Sequence, residues 1–256
     1  MLIAERFTLL LLFIFLFIVT YLKIENSKKG KPPSIRRIPG IDVIEEAVGR
    51  SVELGKGIHF TTGGGGGGLT TSRAPAHLSG LYILDYVANR SAEFGVPLIF
   101  STPYADIIPV AEDYMKQACT IHGQTFDISR VRFYPDSSYR MGVMGTLARE
   151  NIGTNFMMGW FWSEALNIAE VGAQMGCIQI AGCPDDSSIP FLIAACDYVL
   201  ISEELIVAGA YLSKDPAMLG SVGGSDFAKL VAIFLIIIGT ILTSLNVEWF
   251  INFMGI

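Results

Sequence analysis

Two uncharged apolar runs bracket the chain and decide what it can fold into. Phe7–Leu22 reads FTLLLLFIFLFIVTYL and Leu230–Val247 reads LVAIFLIIIGTILTSLNV. With a slight tilt or interfacial neighbours, each can cross a hydrocarbon layer about 30 Å thick. The chain has 256 residues, is 51% hydrophobic and has a mean hydropathy of +0.49. Most of that excess sits in the two end runs, so a membrane protein with a soluble middle is expected. The expected organisation is a tail over 1–6, a span over 7–23, a basic Pro-rich linker over 24–40 and an α/β domain over 41–213. A second linker over 214–228, a span over 229–248 and a tail over 249–256 complete it.

Charge at the span ends predicts the orientation. Lys23, Lys28, Lys29, Lys31, Arg36 and Arg37 follow the first run, whereas Arg6 before it is offset by Glu5; Lys229 precedes the second run and Glu248 follows it. Basic flanks stay cytoplasmic, which places the central domain in the cytoplasm of a cell (inner) membrane and both tails outside. Trp249 and Phe250 suit the far interface. No small-x-small site follows the first run, so an uncleaved anchor is expected rather than a signal peptide. The stretch KKGKPPSIRR either sets topology alone or adds attraction to anionic headgroups, ~1 kcal/mol per basic residue.

Between the anchors, short apolar runs alternate with helical periods. Strands are predicted in GIHFTT, VPLIFS, VRFYP, Thr154–Phe161, CIQIAG and DYVLIS, with helices in the intervals and in Ile41–Gly55 before the first strand. Glycines end several of these helices. Strands apolar on both faces point to an α/β fold, a Rossmann-like, mostly parallel sheet with helices on both faces. The segments 24–40 and 214–228 read as extended linkers because of their prolines and glycines.

Ligands of open parallel sheets bind outside the carboxyl ends of the strands. The most conspicuous such loop is Gly63–Gly68, six consecutive glycines after the first strand. Glycine there removes the Cβ wall and the φ restriction, as a backbone cradle for an anion requires. The run lacks both the GxGxxG spacing into a helix and the lysine of a Walker motif. A flexible or partner-ordered loop is therefore the competing expectation. Candidate ligand-binding residues at the strand ends are Thr62, Gly63, Gly64, Gly65, Arg73, Ser101, Thr102, Asp185, Glu203 and Glu204. Arg73 is the natural cation for an anion on the loop, while the acidic residues could equally cap helix starts. Phe156–Trp162 is unusually bulky, and alternate members are expected in the core with the rest at an interface.

Catalytic and metal constellations are not legible. The three histidines are scattered and no GxSxG elbow exists; His59 reads as a packed strand residue. The four cysteines form no CxxC pair and read as buried thiols. A net charge of −6 argues against nucleic acid as a partner. No cofactor is indicated.

The stretch Arg36–Gly63, RRIPGIDVIEEAVGRSVELGKGIHFTTG, and the stretch Ala194–Ser213, AACDYVLISEELIVAGAYLS, resemble an uncharacterised family of prokaryotic membrane proteins defined by a domain of unknown function, DUF6754. The pattern rests on Asp197, Tyr198, Glu203, Glu204, Leu205, Ala210, Tyr211, Leu212 and Ser213. The resemblance implies a recurring membrane-tethered α/β unit and brings no activity or ligand with it. The expected role is a homo-oligomeric scaffold or docking platform in the bilayer, with other membrane subunits as possible partners. The alternative is an enzyme or sensor binding a nucleotide or small anion at the strand ends. Small residues Gly239, Thr240, Thr243 and Ser244 would favour helix contact in the membrane plane.

Overall fold

The structure is a computed structural model and describes residues 7–33 and 39–244. Expectations resting on Glu5, Arg6, Arg36, Arg37, Glu248, Trp249 and Phe250 lie outside the described residues. The chain divides into two compact units, one comprising 1–35 with 214–256 and the other 36–213.

The central unit is a six-stranded, all-parallel sheet. Its strands are β1 (Gly57–Thr61), β2 (Leu98–Thr102), β3 (Val131–Phe133), β4 (Ile152–Met158), β5 (Ile178–Cys183) and β6 (Tyr198–Ile201), in the order β3-β2-β1-β4-β5-β6. Its helices are α2 (Pro39–Leu54), α3 (Ala74–Glu93), α4 (Ile108–Ile121), α5 (Asp136–Arg149), α6 (Glu164–Gln174), α7 (Ile189–Ala195) and α8 (Glu204–Ser213); α1 (Phe7–Lys28) and α9 (Pro216–Ser244) belong to the other unit. The helices fall on both faces, because the period-2 pleat sends alternate residues to opposite sides. Ile58, Phe60, Phe100, Phe156 and Ile180 pack with α2, α3, α4 and α8. Ile99, Met157 and Ala181 pack with α5, α6 and α7. Phe60 anchors the first layer, stacked between Phe156 at 5.9 Å and Phe100 at 6.3 Å.

Full coverage corrects the expected alternation in the bulky fourth strand. All of Ile152–Met158 is buried, since a central strand of a doubly covered sheet has no solvent face. The strand also ends earlier, at Met158, which frees Trp160 and Trp162 for the following turn. Likewise α4 starts at Ile108, not at Tyr104, and Tyr104 stays in the turn beyond β2.

In the terminal unit, helix extends into both expected linkers. α1 continues to Lys28, and α9 begins at Pro216 and runs unbroken to Ser244. Proline is compatible with the first helical turn, where its missing N–H is not needed. Asp215 completes that start: its Oδ1 accepts from the N–H groups of Ala217 at 2.7 Å and Met218 at 2.9 Å. The glycines of this stretch are contact points rather than breakers. A Cβ at Gly220 would lie 2.5 Å from Ile24 Cα, and one at Gly224 would lie 2.7 Å from Thr20 Cγ2. Close packing of α1 on α9 thus absorbs them, with the rings of Phe15 and Phe227 6.2 Å apart. Leu9–Lys28 and Pro216–Leu242 are both long and apolar enough to cross a membrane.

Candidate functional site

Strand order reverses between β1 and β4, and the loops leaving these neighbours mark the switch point where this fold class holds ligands. The glycine loop lies on one side of that point and the turn Gly159–Ser163 on the other. The two are stitched together. Thr62 carbonyl accepts from Trp160 N–H at 3.1 Å, and Trp160 carbonyl accepts from Gly65 N–H at 3.0 Å.

The loop is held by its own chain, contrary to the mobile or partner-ordered expectation. Gly67 N–H donates to Tyr104 Oη at 3.0 Å, and Tyr104 in turn donates to Gly64 carbonyl at 2.7 Å. Leu69 N–H donates to Asp106 Oδ2 at 2.7 Å. Thr71 Oγ1 donates back to Gly67 carbonyl at 3.0 Å. Close approach accounts for the first three glycines, while a Cβ at Gly66, Gly67 or Gly68 would meet the side chains of Arg73, Thr71 and Asp106. At Gly63 a Cβ would meet Trp160 carbonyl oxygen at 2.1 Å, at Gly64 the Tyr139 ring at 2.7 Å and at Gly65 Trp160 Cδ1 at 2.6 Å. Gly63, Gly66 and Gly67 also have φ of 86°, 84° and 77°, a region only glycine enters freely.

Arg73 closes the loop from outside. Its guanidinium lies 5.0 Å from the Trp160 ring centre and 5.1 Å from that of Trp162, and its side chain covers Gly66. Asp106, Asp136 and Glu164 bear on the same neighbourhood; burial pushes the Tyr104 hydroxyl up against the Gly67 hydrogen bond, with Asp136 and Glu164 adding to the rise and Arg73 opposing it. Burial also pushes up Tyr139, whose hydroxyl shares a 2.5 Å hydrogen bond with Thr61 Oγ1. One guanidinium therefore stands among several carboxylates, a balance that suits a polar ligand better than a bare polyphosphate.

Among the described residues, four buried side-chain polar atoms have no partner, and three of them are here: Thr62 Oγ1, His77 Nε2 and Trp160 Nε1. Such orphans are uncommon and expensive in a folded protein. His77, in the first turns of α3, uses Nδ1 to donate to Thr62 carbonyl at 3.1 Å. The carbonyl can only accept, so in the neutral ring Nε2 is a bare acceptor. Burial holds His77 below the ordinary histidine pKa, against the opposing pull of the Thr62, Gly65 and Gly67 carbonyls. Trp160 Nε1 is a donor only. The indole and the imidazole both border Gly65, one carrying a free donor and the other a free acceptor.

The residues proposed from the sequence distribute unevenly. Thr62, Gly63, Gly64, Gly65 and Arg73 are brought together here. Thr102 is buried at the end of β2, where its Oγ1 accepts from Tyr104 N–H at 3.3 Å. Ser101 faces the sheet interior and bonds His59 Nε2 at 3.0 Å. Asp185 accepts from Ser188 Oγ at 3.0 Å at the start of α7, and also from Ser187 Oγ. Glu204 accepts from Ile201 N–H at 2.9 Å at the start of α8, and Glu203 immediately precedes that helix. These acidic residues lie near helix starts two and three strands away from β1. His77, Asp106, Tyr139 and Glu164 are participants that sequence reasoning missed. A histidine in the first turn of the helix that follows the glycine loop was the available signal for the first; nothing local marks the others.

Comparison with curated proteins and with solved structures gives no match. A family model described as a domain of unknown function (DUF6754) matches residues 1–254. Since that match takes in the spans, the glycine loop and the Asp197–Ser213 pattern together, the chain belongs to the DUF6754 family.

Proposed function

We propose that this chain is a membrane-anchored protein whose α/β domain binds a small polar ligand at the carboxyl edge of β1 and β4. The carrying observation is the set of buried, unpartnered atoms on Thr62, His77 and Trp160 around a glycine loop at the switch point. A hydroxyl-bearing ligand satisfies both kinds of orphan, donating to His77 Nε2 and accepting from Trp160 Nε1. Nucleosides and related sugars are the leading class, and the surrounding carboxylates disfavour ligands carrying several uncompensated negative charges. Binding is the activity proposed, as a sensor or as the ligand-holding half of an enzyme.

The basic residues Lys23, Lys28, Lys29 and Lys31 favour a cytoplasmic domain in a cell membrane, with both chain ends outside. Thermal unfolding of the full chain in nanodiscs against a nucleoside, nucleotide and polyol panel tests the ligand reading. Stabilisation is expected to grow as RT ln(1 + [L]/Kd) and to vanish in His77→Leu; a melt indifferent to the whole panel would count against it. A second reading, self-association as a membrane scaffold, draws on the exposed apolar side chains of α1 and α9, such as Phe13, Phe17 and Phe234. Those faces meet either lipid or another copy, and native mass spectrometry of the intact chain distinguishes the two.

A further inference from the structure

The opposite edge of the same sheet carries a cavity that the proposed site does not use. It measures about 190 Å³ and is enclosed by the end of α3, the start of β2 and the end of α4. Ala88, Ala92, Leu98 and Met115 give it an apolar floor, and Asp127 and Arg130 stand at its polar side. Arg130 and Asp127 also line an adjoining cavity of about 330 Å³, so the two spaces share one polar gate.

Arg130 is under-used. Its guanidinium offers five donors, yet among the described residues its side chain makes only a 3.9 Å contact with Asp127. Asp127 Oδ1 is itself already engaged by Ser129, at 3.0 Å through its N–H and 2.8 Å through its hydroxyl. By contrast, neighbouring Arg132 is committed to Glu150 at 2.6 Å and Thr146 at 3.2 Å. Exposed Phe94, Ile121 and Ile128 lie in the segments flanking the cavity, adding apolar surface. A chamber of mixed lining with an apolar floor, an apolar surround and one fork of unspent donors together match an amphipathic anion. Arg and carboxylate pair bidentately, which fixes orientation as well as energy.

We propose that this cavity is a second ligand site, which takes a small amphipathic monocarboxylate. The carboxylate sits on Arg130 and an apolar body of about six to eight carbons fills the chamber, judged against the ~150 Å³ cavity that accommodates benzene. Cys119 also lines the chamber, so its thiol reports occupancy.

The test uses the full chain in lipid nanodiscs, with octanoate as the probe. Maleimide labelling of Cys119 is read by peptide mass spectrometry, and Cys196, partly buried and away from the cavity, is the internal reference. Octanoate is expected to slow labelling of Cys119 while leaving Cys196 unchanged. Arg130→Gln is expected to raise the half-protecting concentration about tenfold or more, the usual worth of a hydrogen bond to a charged group. Ala92→Leu, which fills the chamber, is expected to abolish protection. Protection by octanol equal to that by octanoate in both wild type and Arg130→Gln would overturn the proposal, as would no protection up to ~10 mM. His77→Leu should leave octanoate protection intact, so failure here and failure of the carboxyl-edge site are separable.

Discussion

His59 and His77 are both fully buried, and burial holds both below the ordinary histidine pKa. Their surroundings differ. His59 sits in mid-sheet within a row that crosses four strands: Ser101 on β2, His59 on β1, Asn155 on β4 and Gln179 on β5. His59 Nδ1 donates to Asn155 Oδ1 at 2.8 Å, and Nε2 accepts from Ser101 Oγ at 3.0 Å. Asn155 Nδ2 donates to Gln179 Oε1 at 3.2 Å, and Gln179 Nε2 ends the row on the carbonyls of Ala169 at 2.6 Å and Ala195 at 2.9 Å. Every member is satisfied. His77, in α3 past the glycine loop that follows the same β1 strand, has one nitrogen used and one bare. A closed polar network rigidifies and specifies a core; an open one at a crevice leaves bonding capacity for a ligand. Two histidines of similar burial thus separate into a structural and a functional candidate by what their second nitrogen meets.

The largest expected effect would break that contrast if it failed. Asn155→Leu strips partners from both His59 and Gln179 and should cost about 3–4 kcal/mol in chemical denaturation. His77→Leu, which removes one hydrogen bond and one orphan, should change stability by under ~1 kcal/mol. Equal losses would show that the row and the site are not different in kind.

Acid is the next lever. With His59 held at about 4, the folded protein binds fewer protons than the unfolded chain between that value and the ordinary 6.5. Its contribution is therefore fully present above pH 6.5 and is lost as pH falls toward 4, on the order of 3 kcal/mol. His59→Gln should flatten that part of the stability profile; an unchanged slope would remove His59 as its source.

Steric demand at the loop should show at a similar or smaller scale. Gly63→Ala must place a Cβ against Trp160 carbonyl at positive φ, and about 1–3 kcal/mol of destabilisation is expected. A neutral result would mean that the turn gives way easily. A small change in stability is also expected from Arg73→Ala, at roughly 0.5–1 kcal/mol for a partly exposed cation–π contact. Its readout is sharper elsewhere: amide exchange over Gly64–Leu69 should accelerate, while exchange in β1 and β4 stays put. Unaltered loop exchange would show that Tyr104 and Asp106 hold the loop without the arginine.

The layout of elements was legible because it depends on local periodicity. Six short apolar runs in alternation with helices imply a doubly covered parallel sheet, and the glycine loop announces itself. The linkers misled because proline and glycine carry different meanings by position. Pro216 opens a helix beside its Asp215 cap, and Gly220 and Gly224 admit a neighbouring helix. Ser101 misled because a residue near the end of a strand can still point into the sheet, where pleat and register, not sequence distance, choose its partners.

By itself, then, the sequence determined that two long apolar helices flank an α/β domain and that a backbone without side chains follows its first strand. Those properties are written in composition and period. Tertiary structure alone decided that β4 lies beside β1, because parallel neighbours are chosen by crossovers rather than by adjacency in the chain. That placement sets Trp160 against Gly65, in the loop that His77 also borders. It turns six glycines from a candidate phosphate cradle into a tightly filled turn, bordered by a donor and an acceptor that nothing else in the fold satisfies.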